Sequence, residues 1–185
     1  ASDDEINNPM MLGDLIVKNK VDIMTSTPTY VSNIIDIPQL KEAMAQIKVF
    51  DLGAEAFPPA LYDKVRTVNP DVYIMNGYGP TETTISCTMK VITDSKNITI
   101  GVPNGNVKVY IVDKENKILP DGETGELVVA GMGVGRGYMN LPEKTADVFI
   151  ELNGERAYKT GDLAKINADG EIEFFGRMDN QIKLR

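Results

Sequence analysis

The chain has 185 residues, 42% of them hydrophobic and 25% charged, and a net charge of -8. That balance suits a globular protein of one large domain or two lobes and argues against a nucleic-acid partner, because nucleic-acid binders present a basic face. There is no histidine and one cysteine, Cys87, which excludes histidine-based triads, histidine metal sites and a disulfide framework and fits a reducing, cytoplasmic setting. No apolar run reaches the ~20 residues of a membrane span and no secretory leader opens the chain, so no membrane partner is expected.

Residues 1–8 are acidic and read as an exposed end. Pro9 suits a first helical position, and Leu12, Leu15 and Ile16 follow at helical spacing. Val21 to Met24 reads as a short strand closed by Thr25-Ser26-Thr27-Pro28. A second helix begins there, with Tyr30, Ile34 and Ile37 on one face. Pro38 starts a third, with Leu40, Met44 and Ile47 at i, i+4 and i+7. Val49 to Leu52 is strand-like and ends at Gly53-Ala54-Glu55. Pro58-Pro59 opens a fourth helix whose apolar face is Leu61, Val65 and Val68, and Val72 to Met75 reads as a buried strand. Strand and helix alternate, which argues for a parallel sheet with covering helices.

After residue 86 the pattern changes. Thr88 to Ile92, Val107 to Val112 and Glu126 to Val129 are strands separated by turn chemistry. Asn153-Gly154 and Asp169-Gly170 are hairpin signals between strand-like flanks. Only Pro142 to Phe149 interrupts them as a helix. This half reads as a small antiparallel β-barrel or sandwich, with the boundary near 93–100.

One stretch carries the chemistry: Asn76-Gly77-Tyr78-Gly79-Pro80-Thr81-Glu82-Thr83-Thr84. Its glycines and proline set a tight turn after a strand, where an open α/β sheet binds its ligand. Tyr78 suits the face of a base, Thr81 a phosphate oxygen and Glu82 a Mg²⁺ ion. A plain turn before a capped helix start is the bland alternative. A second candidate is Asp162 in Tyr158-Lys159-Thr160-Gly161-Asp162. An acid just past a glycine turn accepts both hydroxyls of a ribose, and for that role it should stand exposed at a turn tip. The run Gly131-Met132-Gly133-Val134-Gly135-Arg136-Gly137 is not a dinucleotide fingerprint, since position 136 is arginine and no long helix follows.

The nine-residue stretch resembles the central signature of adenylate-forming enzymes, in the form found in adenylation domains of non-ribosomal peptide synthetases. Gly125-Glu126-Leu127, Gly131, Gly137-Tyr138 and Pro142-Glu143-Lys144-Thr145 resemble a second signature of that superfamily, with a structural role. Tyr158 to Asp162 resembles a third, and Phe175 to Arg185 a fourth.

The resemblance implies an incomplete adenylate-forming fold of α/β class. A partial parallel-sheet α/β/α lobe would span 9–92, a small antiparallel β-barrel lobe 93–176, and a hinge 177–185. It implies a nucleotide site of Gly53, Ala54, Glu55, Asn76, Tyr78, Gly79, Thr81, Asp162, Phe174 and Arg177. Tyr78 would stack on adenine, the Gly53–Glu55 backbone would lie along it, and Asp162 would hold the ribose. Thr81 and Glu82 would be the catalytic pair, with Glu82 the metal ligand. Phe174 stands where tyrosine is usual, so a hydroxyl is missing there and ring packing remains. Arg177 would lie near ribose and phosphate, and Asp179 would be the hinge. The substrate-pocket walls would be Thr25, Phe50, Leu52, Gly77, Ile85 and Ser86, which favours a neutral, apolar amino acid of small to medium size.

Two pieces of the family pattern are not found: the phosphate loop with its lysine, and the small domain with the catalytic lysine. The expected activity is therefore that of a monomeric fragment of a multidomain protein. Its parent uses ATP and Mg²⁺ to turn an amino-acid substrate into aminoacyl-AMP, then loads it onto the phosphopantetheine thiol of a peptidyl carrier protein domain. A stand-alone D-alanine–carrier-protein ligase or acyl-CoA synthetase would share these motifs. A non-catalytic fragment that binds a nucleotide or a partner is the third reading.

Overall fold

Proline opens four of the helices, because its fixed φ suits a first turn and its missing N–H is no loss there. The computed structural model describes residues 2–178. Contacts divide the chain after Asn76, Lys90 and Ile98 into two units, one built from the residues up to Asn76 with Val91–Ile98, the other from Gly77–Lys90 with the residues from Thr99 onward.

The first unit starts with a helix the sequence reading took for an exposed end. Helix α1 (Asp3–Asn7) is closed by a reciprocal cap, Ser2 N–H to Glu5 Oε2 at 2.7 Å and Glu5 N–H to Ser2 Oγ at 3.3 Å. Its acidic first turn faces the positive end of the helix dipole. Asn8 then caps α2 (Pro9–Asn19) by accepting from the Met10 and Met11 amides. Strand β1 (Ile23–Ser26) leads to α3 (Pro28–Ile34), capped by Thr27. A 3₁₀ turn at Pro38–Leu40 runs into α4 (Lys41–Gln46), then β2 (Val49–Gly53) and α5 (Pro59–Val68). Strand β3 (Tyr73–Tyr78) follows, and the chain leaves the first unit within it.

β1 and β2 pair in parallel, with Thr25 opposite Asp51, and β3 lies on the other side of β2. Alternation along β2 sends Phe50 and Leu52 into the core, each 0% exposed, beside Leu40, Met44, Leu61 and Ile74. Asn69 is the polar keystone of this core: its Nδ2 donates to the Met44, Ala45 and Ile47 carbonyls at 3.0, 3.1 and 2.7 Å. Those are the carbonyls that the end of α4 leaves without helical partners.

The second unit holds most of β4 (Thr88–Val91), whose Thr88 and Met89 pair antiparallel with β5 (Val102–Pro103). Then come β6 (Val107–Val112), β7 (Gly125–Gly131), α6 (Pro142–Val148), β8 (Phe149–Leu152), β9 (Glu155–Ile166) and β10 (Ile172–Arg177). The sheet order is β10-β9-β7-β6 with β8 on β9, all antiparallel, curled into a half-barrel. Asn153 and Gly154 both take positive φ, 51° and 76°, the geometry of a tight primed hairpin turn. The β9–β10 connection is wider. There the Asn167 side chain accepts from the Asp169 and Glu171 amides, and Gly170 supplies the left-handed residue.

Residues 77–90, expected with the first lobe, belong to the second unit. Their neighbours explain it: the Asn104 amide donates to the Cys87 carbonyl at 2.9 Å, the Thr88 hydroxyl donates to the Ile100 carbonyl at 2.7 Å, and Tyr78 joins the cluster of Leu127, Ala164 and Ile172. Among the described residues no helix is long and apolar enough to cross a membrane.

Candidate nucleotide site

The signature stretch begins as strand rather than turn, because Gly77 and Tyr78 are the last residues of β3. At Gly79 the chain crosses itself. A Cβ there would lie 2.4 Å from the Ile85 carbonyl oxygen and 2.8 Å from the Cys87 nitrogen, so only glycine fits. The Cys87 amide donates to the Tyr78 carbonyl at 2.8 Å, which closes the loop. Inside it, Thr81–Thr83 forms a single 3₁₀ turn, and Thr84 and Ile85 take φ of 64° and 67°. A β-branched residue in the left-handed region is an outlier that strains the backbone, and such strain gathers at functional loops.

Tyr78 and Asp162 lie 84 residues apart in sequence and meet here, the Tyr78 hydroxyl donating to Asp162 Oδ2. Asp162 is 6% exposed, within β9 and not at the tip of a turn as expected. A distortion of β9 puts it there. The β7 register jumps from Glu126 opposite Leu163 to Val128 opposite Lys159, and Gly161 within the jump has φ 70°. Such a bulge re-aims side chains. Thr160 ties the bulge down, donating to the Leu127 carbonyl at 2.7 Å and accepting from the Asp162 amide at 3.1 Å.

Arg177, at the end of β10, crosses above Gly161, where a Cβ would lie 2.9 Å from Arg177 Nη2. Its Nη1 donates to the Thr160 carbonyl at 2.6 Å and stands 3.5 Å from Asp162 Oδ1. Phe174 packs on Tyr78 with ring centroids 5.7 Å apart, so ring packing is the contact it makes. A second bulge on β10, between Phe174 and Gly176, brings Arg177 opposite Asp162.

Burial first, and the Asp162 carboxylate next, push the Tyr78 phenol well above its ordinary range. Tyr78 therefore stays a donor at neutral pH. Its ring is engaged on one side by Phe174 and its hydroxyl by Asp162. A carboxylate offers about four lone-pair directions, so one acid in this position serves several donors at once.

Glu82 is half-buried, and its Oε1 accepts from the Tyr138 hydroxyl at 2.5 Å. The Tyr158 hydroxyl lies 3.5 Å from that of Tyr138. Burial, then hydrogen bonding within this cluster, raises both phenols. Thr81 is exposed beside Glu82. A magnesium ion in a nucleotide enzyme is held by one or two carboxylates plus the substrate's phosphates. Glu82 fits that role: it is a fixed carboxylate on a surface turn. Among the described residues no cluster of three or more acidic, cysteine or histidine side chains gathers as a self-sufficient metal centre.

The remaining expected residues divide between the units. In the second, Gly77 and Ser86 are half-buried and Ile85 is 83% exposed. The Ser86 hydroxyl donates to the Thr88 carbonyl at 3.2 Å. In the first unit, Asn76 is buried, Gly53 ends β2 and Ala54 takes φ 66°. Glu55 accepts from the Thr29 amide at 3.2 Å. Thr25 is exposed, donates to Asp51 Oδ2 at 3.4 Å, and lines an apolar cleft of about 670 Å³ between α2, β1 and Tyr30. Phe50 and Leu52 lie in the core and not on that cleft. Asp179 lies outside the described residues.

Sequence reasoning did not single out Tyr138, Tyr158 or Thr160. A signal existed for the last two: strand alternation puts Tyr158, Thr160 and Asp162 on one face of β9, and all three are buried. Tyr138 stood within the second signature, but nothing in its spacing pointed to Glu82, 56 residues away.

The chain is 40% identical over 187 residues to gramicidin S synthase 2 of Brevibacillus brevis, covering 99% of the chain and 4% of that protein. It is 35% identical to a D-alanine–D-alanyl carrier protein ligase of Bacillus velezensis, covering 98% of the chain and 37% of the ligase. Its fold matches a solved NRPS protein containing adenylation and PCP domains, bound to a vinylsulfonamide inhibitor, with a TM-score of 0.87 and 28% identity. That match covers 96% of the chain and 32% of the solved one. The chain thus spans a small part of the relatives it matches. The family description "AMP-binding enzyme" fits residues 2–139, and the chain belongs to the AMP-binding enzyme family.

Proposed function

We propose that this chain is the nucleotide-holding part of an amino-acid adenylation domain in a non-ribosomal peptide synthetase. The observation that carries this reading is the convergence of Tyr78 and Arg177 on the buried Asp162 carboxylate, with Phe174 packed on the Tyr78 ring, from three strands. In the proposed reaction an amino-acid carboxylate attacks the α-phosphorus of ATP, forming aminoacyl-AMP and releasing pyrophosphate. The acyl group then passes to the phosphopantetheine thiol of a carrier domain, a step supported by the similarity to a carrier-protein ligase and to a structure that contains a PCP domain.

The residues here supply positioning and charge, with no acid–base residue in the reacting role. Asp162 accepts the ribose hydroxyls and is kept in place by Tyr78, Thr160 and Arg177. The rings of Tyr78 and Phe174 border the base. Thr81 donates to a phosphate oxygen. Bound Mg²⁺ would neutralise phosphate charge, and Glu82 is the residue that would hold it. Arg177, tied to Thr160, adds positive charge beside the ribose.

Gly77, Ile85 and Ser86 would border an amino-acid pocket in the second unit. These residues are uncharged, so a neutral, apolar substrate of small to medium size is favoured. The buried free Cys87 and the absence of other cysteines fit work in the cytoplasm. A carrier-protein ligase for D-alanine is a second reading, favoured by the relative that matches 98% of this chain.

Amino-acid-dependent exchange of pyrophosphate into ATP, measured on the protein that carries this chain, tests the proposal. Exchange with one neutral amino acid supports it. Selectivity for D-alanine favours the second reading, and exchange with none of the amino acids refutes both.

A further inference from the structure

We infer that the loop 131–138 is a clamp that fixes the Glu82 carboxylate, with Tyr138 as its positioning residue. The inference rests on the proposed nucleotide function and adds a role that the glycine-rich loop was not expected to have. The loop grips the Thr81–Thr84 turn at three points. The Gly135 amide donates to the Glu82 carbonyl at 2.7 Å, the Thr84 hydroxyl donates to the Gly133 carbonyl at 2.8 Å, and the Tyr138 hydroxyl donates to Glu82 Oε1 at 2.5 Å.

The glycines exist for this approach. A Cβ on Gly133 would lie 2.8 Å from the Thr83 carbonyl oxygen, and one on Gly135 would lie 3.3 Å from that of Glu82. Gly137 has φ 129°, and a Cβ there would strike Thr145 at 2.3 Å. That contact seats the next residue, whose amide donates to Thr145 Oγ1 at 2.9 Å.

The far side of the loop is anchored as well. Arg156 donates through Nε to the Gly135 carbonyl at 3.0 Å and through Nη2 to the Arg136 carbonyl at 2.7 Å. The Tyr138 ring is held edge-on by Phe149, centroids 5.6 Å apart, with the Lys144 ammonium 5.0 Å above it. Ring, loop and turn are thus all fixed, and they deliver the Tyr138 hydroxyl to the carboxylate beside that of Tyr158. Groups that orient a metal-binding carboxylate act on metal affinity from outside the ligand set.

The test uses Tyr138→Phe, which removes the hydroxyl and keeps the ring, in the protein that carries this chain. ATP binding is followed by calorimetry as Mg²⁺ is varied, and again with the metal chelated. The Mg²⁺ concentration for half-maximal enhancement of ATP binding should rise about 10-fold. Binding of metal-free ATP should be unchanged, and Tyr138→Phe should add nothing in a Glu82→Gln background. Gly133→Ala, which pushes the turn while leaving Tyr138 intact, should raise the Mg²⁺ requirement in the same way. An unchanged Mg²⁺ requirement in Tyr138→Phe overturns the clamp and leaves the nucleotide reading standing. An equal loss of metal-free binding overturns it as well, because that is what a merely structural tyrosine would give. A wild-type protein that binds no ATP under any condition removes the nucleotide reading itself, and the clamp with it.

Discussion

Phe50→Ala separates two readings of one residue, a pocket wall and a core side chain. The sequence places Phe50 in a substrate-pocket wall, whereas the structure has it 0% exposed on β2, in the cluster with Leu40, Met44, Leu52 and Leu61. Truncating a fully buried phenylalanine removes its transfer free energy and leaves a cavity, together about 3–5 kcal/mol. For a unit of this size, that lowers the thermal midpoint by more than about 10 °C. Urea unfolding followed by far-UV circular dichroism measures the change directly. A loss under about 1 kcal/mol would mean that the β2 side chain borders open space, and the reasoning from burial would fail. If the pocket wall is also real, Phe50→Leu should keep most of the stability while shifting amino-acid preference.

Asn69→Ala removes the donor shared by three carbonyls at the end of α4, and should cost about 2–3 kcal/mol in the same unfolding assay. A change within experimental error would show that water replaces the amide. Alkaline pH should weaken the second unit. The Tyr78, Tyr138 and Tyr158 phenols are raised in the folded state, so their contribution is present below about pH 10 and lost as pH climbs beyond it. The thermal midpoint should fall across that range and fall less steeply in Tyr78→Phe, and identical slopes would contradict the Tyr78 part of the argument.

Periodicity and proline placement made most of the fold legible. Helices starting at Pro9, Pro28, Pro59 and Pro142 occur where the sequence put them, because local chemistry alone decides a helix start. Helix α1 was missed since five residues give no periodicity, only the Ser2–Glu5 cap. The strand at Tyr158–Asp162 was read as a turn because Gly161 usually marks one. Here the glycine marks a bulge inside β9, and that depends on what β7 offers opposite it. The site shows the same limit. Tyr78 and Asp162 were legible as chemistry, but not as a bonded pair, because their separation of 84 residues is closed only by the sheet. Tyr138 bonding to Glu82 is a further instance.

The central claim is that Asp162 holds a ribose and is not solely a structural acid for Tyr78. Asp162→Asn keeps an oxygen for the Tyr78 hydroxyl and removes the charge, so the fold should survive. The decisive measurement is the affinity of wild type and Asp162→Asn for ATP and for 2′,3′-dideoxy-ATP, in the protein that carries this chain. Hydrogen bonds to a charged acceptor are worth about 1.5–3 kcal/mol, so wild type should prefer ATP by roughly 10-fold or more. In Asp162→Asn that preference should shrink to a few-fold or less by the same argument. An undiminished preference for ATP in the variant would contradict the account.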